Sequence, residues 1–191
     1  MRIDSEFTVA APVQEVWTYM LDVQRVAPCM PGAELTQVVN DRQFKGRVKV
    51  KMGPVALAFA GTINIVERND AAHRVVMKAS GSEEKGKGQA EATVTSFMQA
   101  EGNGTRVVVQ QDINMSGAVA QYGARMIQDA TNVLMKQFVS CMQADLARAR
   151  TGAPAGPRKA AKPVSGLTLG FQAFLMSIKR FFGGLFKKKS A

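Results

Sequence analysis

The sequence predicts an α+β domain in which a curved antiparallel sheet wraps around a long helix at the carboxyl-terminal side of the domain. Most of residues 34–115 form short segments in which apolar and polar residues alternate, and glycine-containing turns separate them. Residues 116–149 then change to helical spacing. A helix of about 30 residues would be about 45 Å long. Such a helix can cross the whole concave face of the sheet.

The first elements are a strand and two short helices. Residues 2–9 alternate, with Ile3, Ser5, Phe7 and Val9 on one side, which predicts a half-buried strand. Pro12 and the apolar residues spaced behind it predict a helix that ends near residue 21. A second short helix is expected to run from about residue 22 to the prolines at positions 28 and 31.

A hairpin follows, and its two-residue turn fixes the register. Residues 44–52 alternate between apolar and basic side chains, and Gly53 and Pro54 then reverse the chain. Counting across this turn places Met52 opposite Val55. The residues expected on the inner face are Val48, Val50, Val55, Leu57, Phe59, Ile63 and Ile65. Three more strands, at about residues 72–81, 88–98 and 105–115, would complete an antiparallel meander.

The long helix is predicted to run from Ser116 to about Ala149. Its expected apolar stripe, which would face the sheet, consists of Val119, Tyr122, Met126, Ala130, Val133, Phe138 or the neighbouring Gln137, Cys141 and Leu146. Gly123 is expected to allow a close approach at one turn.

Residues 167–189 predict an amphipathic helix at a membrane surface. The residues expected to bind the membrane are Leu167, Phe171, Phe174, Ile178, Lys179, Arg180, Phe181, Phe182, Leu185, Lys187, Lys188 and Lys189. The longest charge-free run, residues 163–178, contains a proline and is shorter than the roughly 20 residues that a spanning helix needs. The alternative is a helix packed on its own domain or in a groove of a partner.

The charge of the chain divides it into a nearly neutral body and a basic tail. The formal net charge is +10, and the segment from Thr151 onward contains eight Lys or Arg residues and no acid, which leaves +2 for the body. A neutral body argues against a nucleic-acid-binding core. We therefore predict a ligand-binding domain over residues 1–149, a Pro/Gly-rich flexible linker over 150–166 and the amphipathic helix over 167–189.

The amino terminus and the cysteines indicate a cytoplasmic protein. Residues 1–7 carry charges where a signal peptide needs an apolar stretch. Cys29 and Cys141 have no motif spacing and no oxidising context, so both are expected to be reduced thiols in the core.

The body contains no recognisable catalytic or metal-binding motif. His73 has no paired carboxylate or cysteine spacing, and a solvent-facing histidine in a turn is expected. Residues 81–88 approach the pattern of a phosphate-binding loop, but Gly88 replaces the final Ser or Thr and a strand follows, so a hairpin turn is expected. We predict no catalytic residue, no metal site and no covalent cofactor.

The predicted order of elements and several motifs resemble a known family. One strand, a helical pair, six strands and a long helix is the order of the helix-grip fold of START and birch-pollen-allergen-like proteins. The chain most resembles the G-subunit family of carbon monoxide dehydrogenase, over roughly residues 1–148. The matching segments are Glu6–Val9 with Pro12 and Val16-Trp17, Cys29–Glu34, Val48–Val55, and Gln121–Ile127 through Gln137-Phe138.

This resemblance implies an accessory protein without catalytic activity. Members accompany molybdenum-containing carbon monoxide dehydrogenases or related hydroxylases, and are proposed to bring the enzyme to the cytoplasmic membrane or to connect it with the respiratory quinone pool. We expect this chain to lie peripherally on that membrane and to bind quinone in an apolar cavity. The alternatives are a lipid or quinone carrier without an enzyme partner, and a small helix-grip enzyme.

Two sets of residues are candidates for contacts in the body. The expected cavity residues are Val50, Leu57, Phe59, Met77, Val109, Gln111, Ile113, Tyr122, Met126 and Val133, with Tyr122 and Gln111 able to orient a quinone carbonyl. The outward row Lys45, Arg47, Lys49 and Lys51, here called the β3 basic row, is either a solvated sheet face or a contact with an acidic patch of the dehydrogenase or with anionic lipid.

Overall fold

A computed structural model describes residues 1–52 and 55–151 of the chain. Its elements, in order, are β1 (Arg2–Val9), α1 (Val13–Leu21), α2 (Val23–Val26), a 3-10 turn (Ala27–Cys29), β2 (Ala33–Val38), β3 (Gln43–Met52), β4 (Val55–Asn69), β5 (Arg74–Glu83), β6 (Gly88–Glu101), β7 (Gly104–Gly117), a second 3-10 turn (Ala118–Gln121) and α3 (Ala124–Arg150). The predicted linker and tail helix lie outside the described residues, apart from Arg150 and Thr151.

The seven strands form one antiparallel sheet in the order β1-β7-β6-β5-β4-β3-β2. Successive strands from β2 to β7 are therefore neighbours, and β1 closes the far edge beside β7. The predicted fold class is confirmed. The register counted from the two-residue turn is also confirmed, because Met52 lies opposite Val55 and Val50 lies opposite Leu57.

A row of glycines crosses the inner face of the sheet at its centre. Gly46, Gly61 and Gly81 are cross-strand partners, and Ala90 continues the row on β6. A Cβ atom on Gly61 would lie 2.0 Å from the backbone oxygen of Ser80, and one on Gly46 would lie 2.8 Å from the backbone oxygen of Glu34. A side chain at Gly46 or Gly61 would thus collide with the neighbouring backbone, and this row, here called the glycine crease, is where the sheet can bend.

The hydrophobic core fills one end of the domain, here called the α1 end. In this core the last turns of α3 pack against α1 and against segments of β1, β5, β6 and β7. Its main members are Val9, Val16, Trp17, Tyr19, Val75, Met98, Val107, Phe138, Met142 and Leu146. Arg150, at the end of α3, donates hydrogen bonds to Glu15 at 3.0 Å and to the backbone oxygen of Ala10 at 3.1 Å. The β3–β4 turn marks the opposite end, the hairpin end.

The long helix begins later than the sequence predicts. Gly88 pairs with Gly117, so β7 continues past the expected helix start at Ser116. Gly117 has a φ of 75° and ends the strand, and Gly123 precedes the first turn of α3. The expected close approach at Gly123 is wrong, because a Cβ atom there would meet nothing within 4 Å.

The buried stripe of α3 is offset from the predicted one. Met126 and Val133 are 40% and 41% exposed, so the prediction that they face the sheet is wrong. Their neighbours in sequence, Ile127 and Leu134, are buried and half-buried instead. Adjacent residues are apolar in this part of the helix. Which of them is buried depends on how the helix is rotated about its axis relative to the sheet.

The prediction of two reduced thiols is also wrong. Cys29 and Cys141 form a disulfide with a Cα–Cα distance of 5.4 Å, which joins the first 3-10 turn to α3. The two residues are 112 positions apart in sequence. Packing of α3 against this turn brings them within bridging distance, and no local motif could indicate it.

Candidate functional site

Three polar side chains lie together on the inner face of the sheet, among apolar residues. Ser5 on β1 and Ser96 on β6 both lie opposite Val109 of β7, one on each side. Gln111 is two positions along β7 and therefore points to the same face. Val109 separates Ser5 from Ser96, and Gln111 is diagonal to both, at the distance of about 7–8 Å that is usual for diagonal neighbours. These three residues, in adjacent rows of the same face, are here called the inner polar patch.

The inner polar patch contains buried atoms without hydrogen-bond partners. Among the residues that the structure describes, Ser5 Oγ, Ser96 Oγ and Gln111 Nε2 are buried and have no partner in the protein. Ser96 as a whole is 1% exposed. Leaving a buried polar group unpaired costs about 1–3 kcal/mol. Two hydroxyls and an amide nitrogen can all donate, so the patch suits a molecule that carries an acceptor oxygen.

Apolar and small side chains surround the inner polar patch. Val94 and Met77 lie in the same cross-strand row as Gln111. The next row toward the hairpin end contains Ala79 and Ala92, and the glycine crease follows. The side chains in this part of the inner face are therefore small. An apolar molecule with one polar group matches this arrangement.

The structure places most of the predicted cavity residues on the inner face. Met77, Val109, Gln111 and Ile113 lie on the β5 and β7 side of the glycine crease, whereas Val50, Leu57 and Phe59 lie beyond it toward the hairpin end. Leu57 and Val109 are buried and the others are half-buried. Their role as ligand contacts stays a prediction.

Tyr122 is not part of the helix as predicted. It is half-buried and follows the second 3-10 turn, two residues before α3. Sequence reasoning found Gln111 but did not propose Ser5 or Ser96 as ligand contacts. A serine at an inward position of an otherwise apolar alternating strand is the signal that could have found them.

Two clefts lie against the sheet, and most of the residues that line them are outward ones, although the larger cleft also touches Ala79, Ala92 and Ile113. The larger has a volume of about 590 Å³ and is lined by polar outward residues including Lys78, Glu91, Thr93 and Asp112. The smaller, of about 330 Å³, continues it toward Ser82 and Gln89. Both are open and carry charged and polar side chains, so they do not suit a long apolar ligand.

A second polar cluster surrounds the disulfide. The Tyr19 hydroxyl donates to Asp145 Oδ2 at 2.9 Å, and Arg148 donates to Asp145 Oδ1 at 2.7 Å. Sγ of Cys29, Sγ of Cys141 and a carboxylate oxygen of Asp145 lie within 4.8 Å of one another, which is compatible with a metal site. The disulfide joins the two sulfurs to each other, however, and metal binding needs thiolates. The cluster therefore holds α3 against α1 in this structure.

His73 lies in the expected turn but is half-buried and does not simply face solvent. Its ring packs edge-on against Trp17 with centroids 5.6 Å apart. Trp17 Nε1 donates to Asp70, whose pKa is lowered by hydrogen bonds from Arg68 and Trp17. The geometry describes a structural contact between α1 and the β4–β5 turn.

The predicted hairpin turn lies within residues 81–88 and consists of residues 84–87, between the end of β5 and the start of β6, and Glu83 organises it. Burial by itself would raise the pKa of Glu83, but backbone N–H groups of Lys87, Lys85 and Ala58 donate to its carboxylate and hold the pKa below its usual value of 4.5. The carboxylate thus accepts hydrogen bonds from two backbone amides of the turn and from one of β4. The expectation that this segment is not a phosphate loop is consistent with its geometry.

The β3 basic row lies on the outer face, as predicted. Lys45, Arg47, Lys49 and Lys51 are all exposed. Arg47 forms an ion pair with Glu84 at 2.8 Å. In residues 1–52 and 55–151, no helix is long and apolar enough to cross a membrane.

Comparison with known proteins identifies the family of this chain and solved structures with a similar fold. A family model described as the G subunit of carbon monoxide dehydrogenase (CoxG) matches residues 5–147. A conserved protein from Geobacillus kaustophilus has 17% identity and a TM-score of 0.70, covering 78% of this chain and 97% of that chain. No curated protein matches this chain.

Two other solved structures show the same architecture. The Zhui aromatase/cyclase from Streptomyces sp. R1128 has 13% identity and a TM-score of 0.57, over 81% of this chain and 99% of that chain. A START superfamily protein from Mycobacterium smegmatis has 12% identity and a TM-score of 0.54, over 78% of this chain and 98% of that chain. At these identities the likeness establishes the fold.

The domain is therefore a START-like helix-grip protein, with one curved sheet held against a long helix. Within that class the chain belongs to the CoxG family, the G-subunit family of carbon monoxide dehydrogenase. The resemblance found in the sequence is confirmed. The family name implies association with carbon monoxide dehydrogenase.

Proposed function

We propose that this chain recruits a molybdenum carbon monoxide dehydrogenase, or a related hydroxylase, to the cytoplasmic face of the cell membrane and carries respiratory quinone below α3. The inner polar patch is the observation that supports a ligand most directly. Three buried polar atoms without partners occupy one part of an otherwise apolar face. A bound molecule that offers an acceptor oxygen would satisfy them.

Quinone fits the chemistry of this site. A quinone ring carries carbonyl oxygens that accept hydrogen bonds, and its isoprenoid chain needs apolar surroundings. Ser96 and Gln111 supply donors, while Met77, Val94 and Val109 supply apolar contacts in adjacent positions. The isoprenoid chain would run over Ala79 and Ala92 toward the glycine crease.

Membrane recruitment is supported by the sequence of the tail. Residues 167–189 combine large apolar side chains with a terminal lysine run, which favours binding at an anionic interface. The Pro/Gly-rich linker separates this segment from the body. One part of the chain would thus hold the membrane while the other holds the ligand.

Replacing Gln111 with leucine is expected to weaken quinone binding about tenfold without destabilising the protein. The variant removes a donor that the ligand would use. It also removes a buried amide nitrogen that is unpaired in the ligand-free protein, so the free energy of unfolding is expected to stay the same or rise by about 1 kcal/mol. Titration calorimetry with decylubiquinone, together with urea unfolding, measures both quantities.

Gln110→Leu is the matched control, because it makes the same chemical change one position away, on the outer face. It should leave decylubiquinone binding unchanged. Lauric acid is the second probe, and it distinguishes a quinone site from a fatty-acid site. If Gln111→Leu and the wild type bind decylubiquinone with equal affinity, the inner polar patch does not bind quinone.

Replacing Phe181 and Phe182 with aspartate in the full chain is expected to reduce binding to anionic vesicles at least tenfold. The change removes two apolar anchors and places two negative charges at an anionic surface. Co-sedimentation with phosphatidylglycerol vesicles measures the loss. Quinone affinity should be retained, and vesicle binding that is unaffected would contradict membrane attachment through this helix.

A carrier without an enzyme partner is the second candidate, since the inner polar patch supports ligand binding whether or not an enzyme docks. Binding of the full chain to the purified dehydrogenase distinguishes the two. A chain that binds quinone and vesicles but not the dehydrogenase would be such a carrier.

A further inference from the structure

We propose that the β3 basic row is the surface by which this chain docks onto an acidic face of a partner protein. The inference rests on the proposed function, in which that partner is the dehydrogenase. It assigns the docking contact to the outer face of the sheet, away from the ligand side and separate from the tail.

The charges of the row are largely uncompensated. In the part of the chain that the structure describes, Lys45, Lys49 and Lys51 form no ion pair, and Arg47 pairs with Glu84. Alternate residues of a strand project from one face, so four like charges stand in a line and repel one another. An acidic surface opposite them would convert this repulsion into attraction.

The neighbouring strand leaves this row accessible. The residues of β4 opposite Lys51, Lys49 and Arg47 are Ala56, Ala58 and Ala60. These methyl side chains are too short to cover the basic side chains beside them. The basic side chains therefore project beyond the alanines of β4. A folded partner can approach them closely.

The composition of this surface favours a protein over a lipid surface. A membrane-binding surface needs large apolar anchors beside its basic residues. The exposed large apolar residues of the described structure lie elsewhere, at Val38, Val39, Ile63, Val66, Met126 and Val133, with Met1 at the amino terminus. Two acids, Glu34 opposite Arg47 and Glu84 paired with it, also interrupt the positive field. Charges of both signs on one surface fix the orientation in which a complementary protein partner binds.

Reversing two charges of the row tests this proposal in the full chain. The double variant Lys45→Glu/Lys49→Glu should bind the purified dehydrogenase about tenfold more weakly in surface plasmon resonance at low salt, mainly through slower association. Its dependence of affinity on salt should also become shallower. The matched control is Arg125→Glu/Lys136→Glu, which makes the same change in net charge at exposed basic residues of α3 and should bind like the wild type.

Each outcome has a distinct meaning. Thermal unfolding of both variants at the wild-type temperature establishes that exposed substitutions have left the fold intact. Equal weakening by both double variants, or no weakening by either, would overturn the proposal. Loss of binding to phosphatidylglycerol vesicles, with dehydrogenase binding unchanged, would assign the row to lipid instead. Failure of the wild type to bind the dehydrogenase would overturn the recruitment function together with this surface.

Discussion

Replacing Cys29 and Cys141 together with serine is expected to lower the free energy of unfolding by about 4 kcal/mol and the unfolding temperature by about 10 °C or more. The disulfide closes a loop with a sequence separation of 112, and long loops lose the most entropy when they are closed in the unfolded chain. It also fixes α3 to the turn that precedes β2. Differential scanning calorimetry of the full chain measures the change.

Reduction supplies an independent control for this experiment. Wild-type protein treated with dithiothreitol should unfold at the same temperature as the double serine variant, and the variant itself should be insensitive to reductant. Either single variant should resemble the double variant, because one remaining cysteine cannot close the loop. Identical unfolding temperatures for the oxidised and reduced wild type would show that the bridge contributes nothing to stability.

Replacing Gly61 with alanine is expected to cost about 3 kcal/mol, although the change adds a single methyl group. That methyl would lie 2.0 Å from the backbone oxygen of Ser80, so β4 and β5 would have to separate at the glycine crease. The backbone cannot move aside as a flexible side chain would. Urea unfolding measures the cost.

The other glycines provide a graded series. A Cβ atom would meet its nearest neighbour at 2.8 Å for Gly46 and 3.3 Å for Gly81, whereas none lies within 4 Å of Gly123. The cost of substitution by alanine should therefore decrease in the order Gly61, Gly46, Gly81, Gly123. Gly123→Ala should be neutral or slightly stabilising, since it restricts the unfolded chain. A large loss at Gly123, or none at Gly61, would contradict the assignment of the crease.

The sheet was predictable from sequence because its signals are local and repeated. Alternation along each strand shows which residues share a face, and the Gly-Pro pair in the sequence between β3 and β4 predicts their pairing, which agrees with Met52 lying opposite Val55. A slip of one residue would place Lys49 inside and Val50 outside. The pattern therefore excludes other registers strongly, and the order of strands follows from their short connections.

Features that depend on packing were not predictable in the same way. The rotation of α3 decides whether Met126 or Ile127 faces the sheet, and both are apolar. The disulfide depends on how α3 lies against a turn more than 100 residues earlier. The inner polar patch combines residues from β1, β6 and β7, which only the strand order brings together.

If the proposed function holds, the position where α3 ends would set the geometry of exchange between the membrane and the partner. The helix runs from Ala124 to Arg150 and ends beside α1, so a tail anchored in lipid would hold the body by its α1 end. A proline-rich segment the length of residues 151–166 can extend about 50 Å, whereas 27 residues of α-helix measure about 40 Å. We therefore expect the body to be able to turn end over end without leaving the bilayer. It could then load its cargo facing the lipid and release it facing the enzyme.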